Sequence, residues 1–303
     1  MKINIIGVPL NLGCDREGVE MAPNVLREHG MLSVVKLNGH KVYDLGNQYI
    51  PQVSDDDKFA HHSNMKYHDE IVEVNNNLAE IVYSTVKSGA FPLVVGGDHS
   101  VGLGSVSGVK QAFENLGIIW IDAHGDLNTA QTTPSGNIHG MILSALMGIG
   151  DEALVNLYSK GNKVKPENVF LIGTRSLDTG EKELVRKTLI NHIPMVKLRK
   201  LTIENVIQQI HDTFILNKVE NVHLSIDIDS IDPEVAPGTG TKVKNGFTKE
   251  EFLELVGSVV DMGFVRSVDI VEFNPLLDTD NITAKLCIEI IDLITKRLNK
   301  NRF

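Results

Sequence analysis

The sequence predicts an α/β fold: one domain built on a mostly parallel central sheet with helices on both faces. Three observations predict it. Short β-branched runs alternate with longer segments of helical period along the chain. The presumptive strands are continuously apolar, the pattern of strands buried on both faces. No internal repeat, low-complexity tract or linker-like shift divides the 303 residues, a length that α/β folds often reach as one unit.

The elements follow in order. Ile3–Val8 reads as the first strand, and Pro23–Glu28 as a helix start with Pro where its missing N–H costs little. The polar stretch Asn47–Met65 has no clear period and reads as a surface loop. Across Tyr67–Ser88, Ile71, Leu78, Ile81 and Val82 return at helical spacing. Leu93–Val95 is a strand ended by Gly96-Gly97, followed by a helix over Val101–Asn115 and a strand over Gly117–Ile121. Further strands are expected at Val169–Ile172, Met195–Leu198, Val222–Ile228 and Val265–Val271. Further helices are expected at Glu181–Leu189, Ile203–Leu216, Lys249–Met262 and Ile282–Leu298.

Composition narrows the partners. Apolar residues make up 42% and charged ones 22%, ordinary globular usage with enough chain for a sizeable core. A formal net charge of −10 disfavours nucleic acid or an anionic membrane surface and mildly favours a cationic ligand. Cys14 and Cys287 lie near opposite ends of the sequence and suggest no disulfide framework, so a reducing cytoplasm is expected. No apolar run approaches the roughly 18 residues of a membrane helix. The apolar start, Met1 to Leu10, reads as a core strand, because Asp15, Arg16 and Glu17 follow without a small-residue cleavage site.

Ligands of such folds bind beyond the carboxyl ends of the strands, where this chain carries unusual residues. Gly96-Gly97-Asp98-His99-Ser100 follows one strand and Asp122-Ala123-His124-Gly125-Asp126 another; Asp227-Ile228-Asp229 ends a third. Alternation along a strand lets Asp122 and His124 face one point, and likewise Asp227 and Asp229; Asp126 can curl back from beyond its strand. With His99, four carboxylates and two imidazoles then converge at one rim. Bare, they would repel one another and shift each other's pKa values strongly. Bridging carboxylates with imidazoles suit a pair of Mn²⁺-like ions better than a thiolate-rich zinc site. Asp98 and Asp232 read instead as cap or turn residues, and His29, His40, His61, His62, His68, His192, His211 and His223 as satisfied polar residues. A dinucleotide-fold reading has Gly102-Leu103-Gly104 and Gly108 in its favour. Those glycines fall inside the expected helix, and His99, His124 and Asp126 would have no role.

These motifs resemble the arginase family within the wider ureohydrolases. The resemblance runs from Ile6-Gly7-Val8-Pro9 to Glu272-Phe273-Asn274-Pro275. It includes Gly-Gly-Asp-His-Ser at 96–100, Asp-Ala-His-Gly-Asp-Leu-Asn-Thr at 122–129, Ser-Gly-Asn-Ile-His-Gly at 135–140 and Ser-Ile-Asp-Ile-Asp at 225–229. It implies a single three-layer α/β/α domain over 1–303, two Mn²⁺ ions, and hydrolysis of the L-arginine guanidinium to L-ornithine and urea. By resemblance His99, Asp122, Asp126 and Asp227 hold one ion and Asp122, His124, Asp227 and Asp229 the other. The guanidinium carbon is a poor electrophile, and a metal pair is suited to activating water against it near neutral pH. Asp126 resembles the residue that passes a proton to the leaving amine, His139 the proton shuttle, and Glu272 the acid that orients the guanidinium. Asn128, Ser135 and Asn137 resemble the groups around the α-carboxylate; Asp178, with Glu181 beside it, resembles the acid near the α-amino group. The resemblance also implies a homo-oligomer, a trimer or hexamer.

The chain also departs from the family pattern. Lys242-Val243-Lys244-Asn245 follows Gly238-Thr239-Gly240-Thr241 where Pro and paired Gly are usual, and Ile142 stands where Pro is usual. These changes touch loop geometry and spare every expected ligand. The alternatives are another ureohydrolase, acting on agmatine, guanidinobutyrate or formiminoglutamate; a dinucleotide-binding or non-enzymatic α/β protein; and a metal-binding homologue without turnover, which the intact His139 and Glu272 disfavour.

Overall fold

The computed structural model describes residues 1–300, so the last three residues of the expected 1–303 domain lie outside the described residues. In chain order the elements are β1 (Lys2–Val8), α1 (Ala22–Glu28), α2 (Met31–Leu37), β2 (Lys41–Asn47), α3 (His68–Lys87), β3 (Ala90–Gly96), α4 (Gly102–Ala112), β4 (Leu116–Ile121), α5 (Ile142–Leu146) and α6 (Glu152–Val155). They continue with β5 (Val169–Ile172), α7 (Thr179–Lys187), β6 (Asn191–Ile193), α8 (Met195–Leu198), α9 (Ile203–Leu216), β7 (Asn221–Asp227), α10 (Lys249–Asp261), β8 (Val265–Val271) and α11 (Ile282–Lys300). The helices start where local chemistry supports them. Thr202 accepts from the Asn205 amide at the head of α9, and Thr248 and Glu251 form a reciprocal cap on α10.

The eight strands form a single sheet in the order β2-β1-β3-β8-β7-β4-β5-β6, every pair parallel. The mostly parallel expectation is thus met by a wholly parallel sheet. Alternate residues of each strand supply two cores. Leu93, Val95, Ile119, Ile121, Leu224 and Ile270 pack toward α1, α2, α9, α10 and α11. Val94, Ile118, Trp120 and Leu171 pack toward α3, α4 and α5. This second face is not uniformly apolar. His223 and Ser225 of β7 and Ser267 and Asp269 of β8 are all buried there beside Ser105 of α4.

One sequence expectation fails locally, and one strand has no counterpart among the expected elements. Met195–Leu198, expected as a strand, is the short helix α8, and the neighbouring strand is Asn191–Ile193. Pro194 separates them and stands at the helix N-cap; a run of four residues is too short for a period that distinguishes the two states. Lys41–Asn47, which carries no strong strand signal, forms β2 at the sheet edge, and its mixed exposure explains the missing apolar run. The expected loop after it is present, with one 3₁₀ turn at Asp55–Asp57.

The order of the strands places the site. β7 and β8 come last in the chain yet lie between β3 and β4. The carboxyl ends of β3, β8, β7 and β4 are therefore contiguous at the centre of the sheet. Gly97 makes this junction possible. Its amide donates to Val8 O and its carbonyl accepts from Glu272 N, while a Cβ here would lie 1.8 Å from Leu10 O. Backbone cannot yield as a flexible side chain can. Gly97→Ala is expected to lower the unfolding free energy on the order of 3 kcal/mol, read from urea denaturation. Gly140→Ala, where a Cβ meets nothing within 4 Å, should be close to neutral.

Candidate metal centre

Each strand end delivers its side chains through tight local hydrogen bonds. Asp98 caps the turn after β3: its carboxylate accepts from Ser100 N and Gly13 N, as its reading as a cap residue requires. Asp232 likewise accepts from the Glu234 and Gly246 amides in a turn. After β4, Asp122 accepts from His124 N at 2.7 Å, and after β7, Asp227 accepts from Asp229 N at 2.7 Å. Strand alternation is therefore not what aligns these pairs. Asp122 and His124 lie beyond β4 and Asp229 beyond β7, and short side-chain turns bring them to face one point. Asp126 takes φ 51° and Glu272 φ 62°, left-handed values that cost non-glycine residues about 1–3 kcal/mol each. The Asp126 carbonyl accepts from Leu143 N and Ser144 N, which holds its segment against α5.

The side chains converge as the sequence suggests. His99 Nδ1 lies 3.0 Å from Asp126, 3.2 Å from Asp122 and 3.2 Å from Asp227. His124 Nδ1 lies 3.0 Å from Asp229 and 3.5 Å from Asp122. Two groups of possible cation ligands result, His99-Asp122-Asp227 and Asp122-His124-Asp229, with Asp122 common to both. Asp227 belongs only to the first group by this geometry.

The partners of His99 set its tautomer. Its Nε2 donates to Ser225 Oγ at 2.8 Å, and the Ser225 hydroxyl donates on to Asp269. Asp269 also faces His223 Nε2 at 2.8 Å and accepts from Ser105 at 2.6 Å. The His99 ring stacks on Trp120 with centroids 4.0 Å apart. Its Nδ1 therefore points into the carboxylates, where it and Asp126 Oδ2 are buried without hydrogen-bond partners.

The electrostatics reflect the crowding. Burial alone would push the Asp122 carboxyl up, yet His124 and His99 hold it well below the usual range. Burial and the charge of Asp122 raise Asp126 to about 7. Burial, then Asp229 and Asp122, hold Asp227 well above the usual range. Burial opposes charge on His99, but the adjacent Asp122, Asp126 and Asp227 carboxylates raise it well above its ordinary value. Burial likewise opposes charge on His124, which Asp229 and Asp122 nonetheless raise to about 12. Among the protein groups alone, protons must serve as the counter-charge. A bare, oriented imidazole nitrogen, an orphaned carboxylate oxygen and oxygen-rich neighbours fit divalent cations in that place.

Beside the cluster is a cavity of about 120 Å³ lined by His124, Asp126, Asp227 and Asp229 on one side and Asn128, Ser135, Asn137, His139, Asp178 and Glu181 on the other. All five residues expected around the amino-acid end of a substrate reach it. They are already engaged with neighbours: Asn128 Nδ2 donates to Asp178 at 2.9 Å, and Glu181 accepts from Asp178 N and Leu127 N. Lys66 donates to Asn137 Oδ1, while Asn137 Nδ2 donates to Cys14 O. Glu272 is not at the cavity wall. It stands behind His139, with Oε1 2.9 Å from His139 Nδ1, and accepts from His99 N. Burial opposes charge on His139, but Glu272 raises it to about 9. The sequence assigns Thr133, Pro134, Gly140 and Thr241 of the lining no role, although Gly140 closes the 135–140 motif, Pro134 adjoins it, and Thr241 ends Gly238-Thr239-Gly240-Thr241. None of the eight histidines set aside as structural lines this cavity.

Comparison with known proteins decides what this arrangement is. Residues 1–295 match the model of the arginase family. The chain belongs to the arginase family. A relative from Brevibacillus brevis named arginase is 40% identical over 292 residues, covering 96% of this chain and 97% of that one. The crystal structure of an arginase from Bacillus cereus has a TM-score of 0.90 at 38% identity, covering 97% and 98% of the two chains. A formimidoylglutamase from Bacillus subtilis has a TM-score of 0.80 at 22% identity, over 100% of this chain and 88% of that one; likeness at that identity concerns the fold alone. The arginase-family chain is a hydrolase of carbon–nitrogen bonds in linear amidines, and its two ligand groups fit the binuclear metal site of the family.

Cation uptake has to expel the protons now shared within the cluster. It is expected to release protons at pH 7, and affinity should rise with pH from about 6 to 8, because Asp126 titrates at about 7. Calorimetric Mn²⁺ titrations in buffers of different ionisation enthalpy measure both; uptake without proton release would contradict the assigned electrostatics.

Proposed function

We propose that the chain hydrolyses L-arginine to L-ornithine and urea, using two Mn²⁺ ions and one catalytic domain over residues 1–303. The observation that carries this reading is the continuity of the cavity: it joins both ligand groups to Asn128, Ser135, Asn137 and Asp178. A guanidinium placed against the cluster would have its amino-acid end within reach of those groups. The lining is rich in carboxylates and holds no Lys or Arg, which suits a cationic substrate. A ureohydrolase for an amine without the α-carboxylate would have less use for the amide- and hydroxyl-bearing wall.

His99, Asp122, Asp126 and Asp227 would hold one ion, and Asp122, His124, Asp227 and Asp229 the other. When bound, the pair supplies water activated as a nucleophile near neutral pH. The protein positions and moves protons. Asp126, between His99 and the cavity, is placed to hand a proton to the leaving amine. His139 faces the cavity as the shuttle, and Glu272 keeps its Nδ1 occupied, fixing which nitrogen faces the substrate. Glu272 accordingly acts through His139 in this arrangement, and a direct contact with guanidinium would need the His139 pair to open. Asp178 and Glu181 supply negative charge for the α-amino group.

The family resemblance supports a homo-oligomer, a trimer or hexamer, and exposed Val196, Ile215 and Leu216 provide apolar surface for subunit contact. A cytoplasmic setting is supported by the free thiols Cys14 and Cys287. No described helix is long and apolar enough to cross a membrane.

Asp227→Ala is expected to abolish metal loading and turnover together. His139→Ala should keep both metals while kcat falls about 10²–10⁴-fold; metal content by atomic emission beside kinetics separates the two. Urea release from Mn²⁺-loaded protein, with L-arginine and agmatine assayed side by side, tests the substrate. Urea from arginine alone is the expected result. Urea from agmatine alone would keep the metal site and remove the roles given to Asn128, Ser135, Asn137 and Asp178.

A further inference from the structure

We propose that Arg175 is a positioning residue for the second metal subsite, bracing the loop after β7 so that the Thr241 hydroxyl holds the Asp229 carboxylate. The inference rests on the binuclear reading above and assigns work to two residues which that reading leaves out.

Arg175 follows β5 and is partly buried. Among the described residues its guanidinium donates only to backbone carbonyls. Nε reaches Val243 O and Lys244 O, both at 3.2 Å; Nη1 reaches Ser230 O at 2.9 Å and Gly173 O at 3.3 Å. Nη2 reaches Asp229 O and Val243 O, both at 2.8 Å. With no carboxylate among these partners, the side chain works as a directional staple rather than as half of an ion pair. The backbone of the same residue is tied elsewhere: the amides of Arg175 and Ser176 donate to Ala123 O at 2.9 and 3.0 Å. One residue thus joins the segment that carries His124, the segment that carries Asp229, and the loop at 242–246.

The loop delivers Thr241. Its hydroxyl donates to Asp229 Oδ2 at 2.6 Å, while Ala123 N donates to Asp229 Oδ1 at 3.2 Å. Both Asp229 oxygens are therefore oriented by groups that Arg175 itself ties down. Lys242, Val243, Lys244 and Asn245 carry no Pro to stiffen this loop, so its path depends on hydrogen bonds from outside, and the guanidinium fork supplies them. A lysine offers donors at one point and cannot span the same carbonyls. Partners that orient metal ligands typically change metal affinity by about 10–100-fold.

The test is equilibrium dialysis of the full chain against buffered Mn²⁺, with bound metal counted by atomic emission. Wild type should bind two ions. Arg175→Lys and Thr241→Val should each weaken the same one of the two ions about 10–100-fold and leave the other unchanged. Thr241→Ser should restore wild-type binding, and Arg175→Lys with Thr241→Val together should bind no more weakly than Arg175→Lys alone. Wild-type affinity in Thr241→Val, or losses that multiply in the double variant, would overturn the proposal. If Arg175→Lys fails to fold by circular dichroism, the Thr241→Val and Thr241→Ser pair still decides. A wild type that binds a single ion would instead defeat the binuclear reading, and this inference with it.

Discussion

Burial of like charge is the constraint on which the rest of the structure depends. Asp122, Asp126, Asp227 and Asp229 are all nearly inaccessible to solvent, and they crowd two imidazoles at one edge of the sheet. No arrangement of uncharged neighbours makes that favourable; the carboxylates must share protons or share cations. The protein makes the choice by geometry. His99 spends Nε2 on Ser225, so its other nitrogen is turned toward the carboxylates as a lone pair that only a proton or a cation can satisfy. The stack on Trp120, whose indole nitrogen also donates to Asp122 at 3.2 Å, keeps ring and carboxylate in register.

The cost of this arrangement extends into the sheet. Under His99 the inner face of β7 and β8 holds Ser225, His223, Ser267 and Asp269 where a parallel sheet would ordinarily bury aliphatic side chains. Every member has a partner, and the network closes on Ser105 of α4. A fully connected buried polar network is directional where an apolar core is not. It fixes the lateral position of α4 over the two strands that carry Asp227 and Glu272, and so couples helix packing to the site.

Much of this was legible in the sequence, for reasons that differ by element. The buried strands announce themselves because burial on both faces demands unbroken apolar runs, as in Leu116–Ile121 and Val169–Ile172. The amphipathic α9 and α10 announce themselves by period and by caps. The edge strand β2 and the short helix α8 do not, since exposure removes the first signal and brevity the second. At the site, ligand identities were readable from clustered Asp and His, although the alignment rests on turns beyond the strands rather than on strand alternation. Arg175, Lys66 and Thr241 were not read as site residues. Their roles lie in carbonyls and hydroxyls brought near by long-range folding, which leave no spacing in the sequence to read.

The insertion of β7 and β8 between β3 and β4 has a further consequence for how the molecule comes into being. A nascent chain that ends before Asn221 already contains His99, Asp122, His124 and Asp126, yet the two central positions of its sheet are still to be made. β3 and β4 have no direct pairing with each other, so the four ligands made first stay open until the last quarter of the chain arrives. Closure of the sheet, burial of the polar network and assembly of the metal pair are then a single late event with high contact order. A chain that ends before Asn221 lacks Asp227 and Asp229, and so the complete cluster exists only in the finished sheet.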